Sequence, residues 1–226
     1  MKQKVSVEEG YMRITTGQVS LEGNLLIPEG AKGLVVFAHG SGSSRHSPRN
    51  QHVARILRDS ELGTLLFDLL TLEEETEDLV TGKYRFDIGL LAWRLTGATD
   101  WLQSNEQTRH LKLGYFGAST GAAAALVAAA ERPEIVGAVV SRGGRPDLAE
   151  SFLERVQAPT LLIVGGYDLP VIDMNRKALV NLRVEKKLEI VPGATHLFEE
   201  PGKLDEAARL AANWFTRYLG RSPNEA

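Results

Sequence analysis

The chain has 226 residues, of which 43% are hydrophobic and 24% charged, and its formal net charge is −3 at pH 7. This composition can bury a sizeable core and argues against a disordered protein. The slightly acidic balance argues against nucleic acid or an anionic membrane surface as a partner. The absence of cysteine excludes disulfides, thiolate zinc sites and a cysteine nucleophile.

The sequence predicts one domain over residues 1–226, located in the cytoplasm. The first nine residues begin with basic side chains, but no apolar stretch follows them, so we expect no signal peptide. No window approaches the roughly 18 apolar residues that a membrane span needs. No linker or repeat divides the chain, and we expect a frayed tail at 221–226.

The N-terminal segment, 1–32, alternates apolar and polar residues and predicts two or three antiparallel strands, with turns at 9–10 and 16–17. Beyond it, apolar runs alternate with helical patterns. The runs that predict strands are 33–38, 64–70, 113–116, 135–140, 160–164 and 188–191. The patterns that predict helices are 50–60, 86–102, 122–130, 147–156, 171–182 and 204–219.

This alternation predicts an α/β fold, with a mostly parallel central sheet of about eight strands and helices on both faces. Continuous apolar runs are typical of parallel strands that are covered on both sides. The acidic run at 73–78 predicts a solvated loop or helix face. In such sheets ligands bind beyond the carboxyl ends of the strands, and functional residues are therefore sought there.

One such strand end carries Gly117-Ala118-Ser119-Thr120-Gly121 between an apolar run and an alanine-rich helix. Strand, turn and helix are the context that the G-x-S-x-G nucleophile elbow requires. A serine on so tight a turn has strained backbone angles, and side chains two positions to either side would collide with strand or helix. The alternative is a serine that merely caps the helix.

Two later strand ends supply the partners that a serine nucleophile needs. Asp168 follows the run 160–164, and His196 follows the run 188–191. An imidazole takes the proton of the serine hydroxyl, and a carboxylate holds that imidazole in the correct tautomer. Asp173 competes with Asp168 for the acid role, but it falls inside the next predicted helix.

The chain resembles the α/β-hydrolase superfamily, and most closely its small members that are similar to dienelactone hydrolase. The resemblance covers about residues 33–219. It rests on four motifs, which in chain order are His39-Gly40-Ser41-Gly42, Gly117-Ala118-Ser119-Thr120-Gly121, Gly165-Gly166-Tyr167-Asp168 and Gly193-Ala194-Thr195-His196. Dienelactone hydrolases use a cysteine nucleophile where this chain has Ser119, so the resemblance does not extend to dienelactone as the substrate.

The resemblance also implies an oxyanion hole. The superfamily pairs the amide that follows the nucleophile, here that of Thr120, with an amide from the loop after the first parallel strand. Ser41 is the first choice for that second amide and Gly42 the alternative. Preorganised amides of this kind stabilise the charge that develops on the substrate.

Two arginines, Arg45 and Arg142, also follow strand ends, and with Gly42 they are candidates for substrate binding. The structural interpretation is an ion pair or a loop hydrogen bond. The functional interpretation is recognition of a carboxylate or phosphate on the substrate.

The remaining histidines predict no metal site, and we expect no cofactor. His39, His46 and His52 lie in one region, but their spacing matches no helical pair of zinc ligands. His39 opens the oxyanion motif and is interpreted as a structural hydrogen-bonding residue. We expect His110 to lie at the surface.

These observations favour a serine hydrolase that cleaves a small ester or related acyl bond. A nucleotide-binding protein is a second possibility, because Gly40-Ser41-Gly42 precedes a strand with Asp68, although the third glycine of the fingerprint is replaced by Arg45. A catalytically silent hydrolase fold is a third.

Only about 20 residues separate the runs 135–140 and 160–164, which leaves no room for a cap domain. We therefore expect short acyl or aryl esters as substrates.

Overall fold

The computed structural model describes residues 7–220. The frayed tail predicted at 221–226 and the first residues of the N-terminal segment lie outside this range. The strands are β1 (Val7–Thr16), β2 (Val19–Pro28), β3 (Leu34–Ala38), β4 (Gly63–Phe67), β5 (Leu113–Ala118), β6 (Val136–Arg142), β7 (Thr160–Gly165) and β8 (Lys186–Val191). The helices are α1 (Pro48–Asp59), α2 (Leu72–Thr81), α3 (Ile88–Ser104), α4 (Thr120–Glu131), α5 (Leu169–Asn181) and α6 (Lys203–Leu219), and a 3₁₀ segment spans Pro146–Arg155.

All eight strands belong to one sheet in the order β1-β2-β4-β3-β5-β6-β7-β8. The β1–β2 and β2–β4 pairs are antiparallel, and the pairs from β4 to β8 are parallel. The predicted α/β class with a mostly parallel sheet is confirmed. β5, which carries the elbow, lies near the centre of the parallel strands.

The N-terminal segment folds as one long hairpin. β1 and β2 pair along their full length, from Val7 with Pro28 to Thr16 with Val19. The turn predicted at 16–17 is confirmed, and Gly17 adopts a positive φ of 57° there. The turn predicted at 9–10 is wrong, because both residues lie within β1 and their backbone groups belong to the ladder.

Two hydrophobic layers cover the sheet. One lies under α3, α4 and the 3₁₀ segment, and the other lies under α1 and α6. Every residue of α4 from Thr120 to Ala130 is buried. Its run of alanines lets the helix backbone lie close to the sheet while α3 packs against its other side, as the sequence predicts.

The acidic run forms most of α2. Thr71 and Glu74 make a reciprocal capping box at the start of this helix, and Gly82 ends it in a left-handed conformation. Between β6 and β7 the chain forms only the 3₁₀ segment, so the expected absence of a cap domain in this connection is confirmed. None of the helices within residues 7–220 has the length and apolar character of a membrane-spanning helix.

Candidate active site

Ser119 occupies a strained turn between β5 and α4. Its backbone angles are φ 51° and ψ −123°, which a non-glycine residue rarely adopts. A Cβ on Gly117 would overlap the backbone of Ala122, and a Cβ on Gly121 would overlap the carbonyl of Ala38. The side chain of Ser119 makes no capping hydrogen bond to α4, so the helix-cap interpretation is wrong. Ser119 instead lines a cavity at the carboxyl end of β5.

Asp168 and His196 contact each other across two loops. Asp168 Oδ2 lies 2.6 Å from His196 Nδ1. The loops meet because Gly165 leaves space for the backbone of Thr195, and because the Tyr167 amide donates to the Ala194 carbonyl at 2.9 Å. The carboxylate is mostly buried, with 13% of its side chain exposed, whereas the imidazole is 40% exposed. This pairing leaves Nε2 of the imidazole free to face a reacting group.

The competing acid, Asp173, lies on the outer surface of α5. Its side chain is 69% exposed and pairs with Arg176 on the same helix at 3.4 Å. It therefore makes none of the contacts with His196 that Asp168 makes.

Ser119 and His196 line the same cavity, whose volume is about 270 Å³. Gly143, with a φ of 52°, lies against the imidazole, where even a Cβ would come within 3.5 Å of the ring. Among the hydrogen bonds of residues 7–220 there is none between the Ser119 hydroxyl and His196. The two side chains are neighbours in one cavity rather than an already bonded pair.

Ser41 and Thr120, whose amides are predicted for the oxyanion hole, contact each other. Thr120 is the first residue of α4, so its amide has no partner within the helix. The Ser41 amide donates to the Thr120 hydroxyl at 3.1 Å, and the Ser41 hydroxyl lies 3.0 Å from the same oxygen. Gly42 adopts a φ of 66° with open space around it. The Ser41 amide is thus already engaged by the Thr120 hydroxyl.

Arg45 has a structural role, and its proposed contact with substrate is not supported. Its guanidinium pairs with Asp68 and, at 2.5 Å, with Glu22 on β2. Its backbone amide also donates to Asp68 at 2.7 Å. Two carboxylates thus neutralise the charge of Arg45. Through these ion pairs the side chain joins the hairpin to the loop after β3.

Arg142, unlike Arg45, forms no ion pair among the residues that the structure describes. It is the last residue of β6, only 7% exposed, and it lines the cavity with Ser119 and His196. Its Nε and Nη1 atoms are buried without hydrogen-bond partners. Burial, and to a smaller extent the neighbouring Arg49, lowers the pKa of Arg142 to about 10.

The histidines near the oxyanion loop do not converge on a metal. His39 is buried, donates from Nδ1 to the Gly40 carbonyl at 3.0 Å and accepts from the Leu69 amide at 3.0 Å. Burial lowers the pKa of His39, which keeps it neutral and suits the structural role predicted for it. His52 pairs with Asp205 at 2.5 Å. Residues 7–220 contain no group of three or more side chains that could hold a metal ion.

The nucleotide-binding alternative fits poorly. Asp68, the acid that would hold a ribose hydroxyl, is already paired with Arg45. The loop after β3 also does not lead directly into a helix, because α1 begins only at Pro48, with Ser47 as its cap. A dinucleotide site needs both a free acid and a helix N-terminus at the glycines.

Sequence reasoning missed several contributors to the site, three of which are informative. Arg49 and Leu197 line the cavity, and the Arg85 carbonyl accepts a hydrogen bond from the Ser41 hydroxyl at 3.2 Å. Arg49 lies in α1 and Arg85 follows α2, so neither has the position after a strand end that predicts a site residue in this fold. Leu197 could have been found, since it directly follows His196.

An eight-stranded sheet of this order, with a strained serine at a central strand–helix turn and a histidine–aspartate pair at neighbouring strand ends, defines the α/β-hydrolase class. The family model for the dienelactone hydrolase family matches residues 73–221, about two thirds of the chain. The chain belongs to the dienelactone hydrolase family, as the sequence motifs predict.

Solved structures agree with this assignment. The crystal structure of dienelactone hydrolase from Anabaena variabilis is 65% identical, with a TM-score of 0.93, and the match covers 94% of this chain and 99% of that one. Est1E from Butyrivibrio proteoclasticus is only 15% identical but has a TM-score of 0.78, with 94% and 100% of the two chains covered. The second likeness shows the fold alone.

Curated relatives add a different name. Two Mycobacterium tuberculosis proteins called "Putative phosphoribosyl transferase" are 54% identical to this chain over 208 residues. The match covers 92% of this chain but 46% of each relative. The chain thus spans about half the length of the curated relatives it matches.

Proposed function

We propose that this protein is a serine hydrolase that cleaves small carboxylic esters or related acyl bonds through a covalent acyl-enzyme. The observation that carries the proposal is the arrangement around one cavity. Ser119 lies on a strained elbow there, next to His196, whose Nδ1 is 2.6 Å from Asp168. A nucleophile, a base and a group that orients the base are the parts that acyl transfer requires.

In the proposed reaction, His196 Nε2 takes the proton of Ser119 as the serine oxygen attacks the ester carbonyl. Asp168 holds the imidazole and stabilises its cation. The amide of Thr120 and that of Ser41 or Gly42 bind the oxyanion. The bond to the alcohol then breaks and the alcohol takes the proton from His196, after which water attacks the acyl-enzyme by the same route.

The Ser119–His196 hydrogen bond would form when substrate binds, since catalytic hydrogen bonds are often long or misaligned in free enzymes. The Ser41 amide would exchange the Thr120 hydroxyl for the substrate oxygen in the same step. Removing an oxyanion donor typically lowers the rate about 10²–10³-fold.

The transferase name of the curated relatives does not alter this proposal. The matched part, 46% of each relative, corresponds to a dienelactone hydrolase fold. Because the match leaves more than half of each relative uncovered, we do not carry the transferase name over to this chain.

The test is a series of p-nitrophenyl esters from acetate to palmitate, measured with the wild type and with Ser119→Ala. We expect the wild type to prefer acetate and butyrate over palmitate by at least about tenfold, because the open cavity of about 270 Å³ gives a long chain little apolar cover. Ser119→Ala should lose at least about 10³-fold in kcat/KM.

Two outcomes would contradict the proposal. Equal activity of the wild type and Ser119→Ala would exclude Ser119 as the nucleophile. Highest activity on palmitate would exclude a small-ester enzyme. Ser104→Ala, a change on the exposed end of α3, is the matched control and should leave kcat/KM unchanged.

A further inference from the structure

Arg142 is a buried cation that lacks a counter-ion. Arg142 is 7% exposed, and its Nε and Nη1 atoms are buried without a hydrogen-bond acceptor. The other deeply buried arginine, Arg94, pairs with Glu74 at 2.6 Å. Among the ion pairs of residues 7–220, none involves Arg142. A buried charge without a partner destabilises a fold, and a ligand that supplied the missing acceptor would remove that penalty.

The surroundings of Arg142 hold the guanidinium but do not neutralise it. Its carbon lies 6.0 Å from the centre of the Phe116 ring and 5.9 Å from that of Phe198. These rings flank the charge with apolar surface and favourable cation–π contact, but they accept no hydrogen bond in the way an oxygen does. The guanidinium therefore keeps unused donors, of which Nε and Nη1 are enclosed and Nη2 is the nitrogen open to an oxygen-rich anion.

A second cation, Arg49, faces the same cavity. It lies on α1, and its charge is close enough to lower the pKa of Arg142. Its acidic partner is Glu199 at 3.4 Å, and the side chains of Arg49 and Glu199 are 37% and 64% exposed. Such an exposed, long pair neutralises little charge. Together with His196, which becomes cationic during acyl transfer, the cavity favours negative charge beside Ser119.

We infer that Arg142, assisted by Arg49, forms a subsite for a phosphate-monoester group carried by the substrate, next to the ester bond that Ser119 attacks. Two guanidinium groups match a dianionic phosphate better than a singly charged carboxylate, and the planar fork of arginine binds phosphate oxygens in pairs. The inference deepens the proposed function and rests on it, since the group must lie on the ester substrate. Arg142 is then a residue that determines specificity.

The first experiment measures binding without turnover. We expect inorganic phosphate to raise the Tm of the wild type, because a ligand that binds the folded state stabilises it. In Arg142→Met, which keeps the length and packing of the side chain but removes its charge, this phosphate-dependent rise should disappear. Arg183→Met removes a charge from an exposed pair with Glu154 and should leave the rise unchanged.

The same variants separate a binding role from a structural one. Without phosphate, Arg142→Met should melt at the same temperature as the wild type or higher, because it removes an unpaired buried charge. A lower Tm together with an unchanged response to phosphate would overturn the inference. If Arg142→Met does not fold, Arg49→Met and Arg142→Lys provide the test, and each should reduce the response to phosphate.

The second experiment measures specificity. It compares p-nitrophenyl esters of butyric acid, succinic acid and 3-phosphonopropionic acid, which end in a methyl group, a carboxylate and a phosphonate. We expect the wild type to have its highest kcat/KM on the phosphonate ester. The ratio of kcat/KM for the phosphonate ester to that for the butyrate ester should fall at least about tenfold in Arg142→Met and stay constant in Arg183→Met.

The outcomes distinguish this inference from the proposed function. A wild type that hydrolyses none of the three esters would contradict the proposed function, whereas the Tm response would still test the anion subsite. Hydrolysis of all three esters without a preference for phosphonate, or with a preference for succinate, would overturn the phosphate subsite and leave the hydrolase intact.

Discussion

At the scale of single residues, the site depends on where each charge finds a partner. Asp168 and His196 are hydrogen-bonded at 2.6 Å, whereas Arg45 is held by Glu22 and Asp68. Arg142 has no such partner. The two arginines occupy similar positions in the sequence, but only Arg45 is brought next to carboxylates by the fold, and their roles therefore differ.

The choice between two aspartates gives a direct prediction at this scale. Asp168→Ala should lower kcat/KM for p-nitrophenyl acetate by at least about 10²-fold, because the imidazole loses the group that fixes its tautomer. Asp173→Ala removes only an exposed pair with Arg176 and should change kcat/KM less than about twofold. Equal losses in two folded variants would mean that Asp168 is not the acid that orients His196.

At the scale of elements, α2 and the loop that follows it lie against the oxyanion loop. Asp78, at the end of α2, accepts hydrogen bonds from the amides of Tyr84 and Arg85 at 2.6 and 2.9 Å. It also pairs with the Arg85 side chain at 2.7 Å. The Arg85 carbonyl in turn accepts from the Ser41 hydroxyl. The carboxylate of Asp78 thus organises a segment that touches the candidate oxyanion hole.

Asp78 should make stability depend on pH in a defined direction. Burial raises the pKa of its carboxyl, but the hydrogen bonds and charge from Arg85 and the Tyr84 amide outweigh burial and leave the pKa lowered. A carboxyl with a lower pKa in the folded state adds stability that is fully present above the unfolded-state pKa and is lost as pH falls through the folded-state pKa.

Asp78→Asn should therefore lower the free energy of unfolding at pH 7 by about 1–3 kcal/mol. The difference from the wild type should shrink below about pH 4, where the wild-type carboxyl also takes up a proton. Urea unfolding at pH 7 and pH 3 measures this, with Glu73→Gln on the exposed side of α2 as the control. A difference that is equal at both pH values would contradict the role assigned to the charge.

At the scale of the whole molecule, much of the architecture was predictable, because apolar runs and glycines indicate the local structure of the segments that contain them. Buried strands alternate with amphipathic helices in the sequence. The glycines at 117 and 121 indicate the elbow, because a side chain at either position would overlap the neighbouring backbone. Parallel strands end at one edge of a sheet, so Ser119, Asp168 and His196 could be expected to converge.

What the sequence could not supply are contacts between distant segments. The pairing of Arg45 with Glu22 depends on how the hairpin joins the sheet, and the bond of the Ser41 amide to the Thr120 hydroxyl joins residues 79 positions apart. The isolation of Arg142 is a further case, because an absent partner leaves no trace in a sequence.

If Ser119 is the nucleophile, a fluorophosphonate should phosphonylate it with loss of fluoride, and intact-mass spectrometry detects this adduct. We expect one adduct per chain, on the peptide that contains Ser119, and its absence in Ser119→Ala. Labelling should also slow strongly in His196→Ala, because the serine then lacks its base. An adduct on another residue, or no adduct on the folded wild type, would contradict the account.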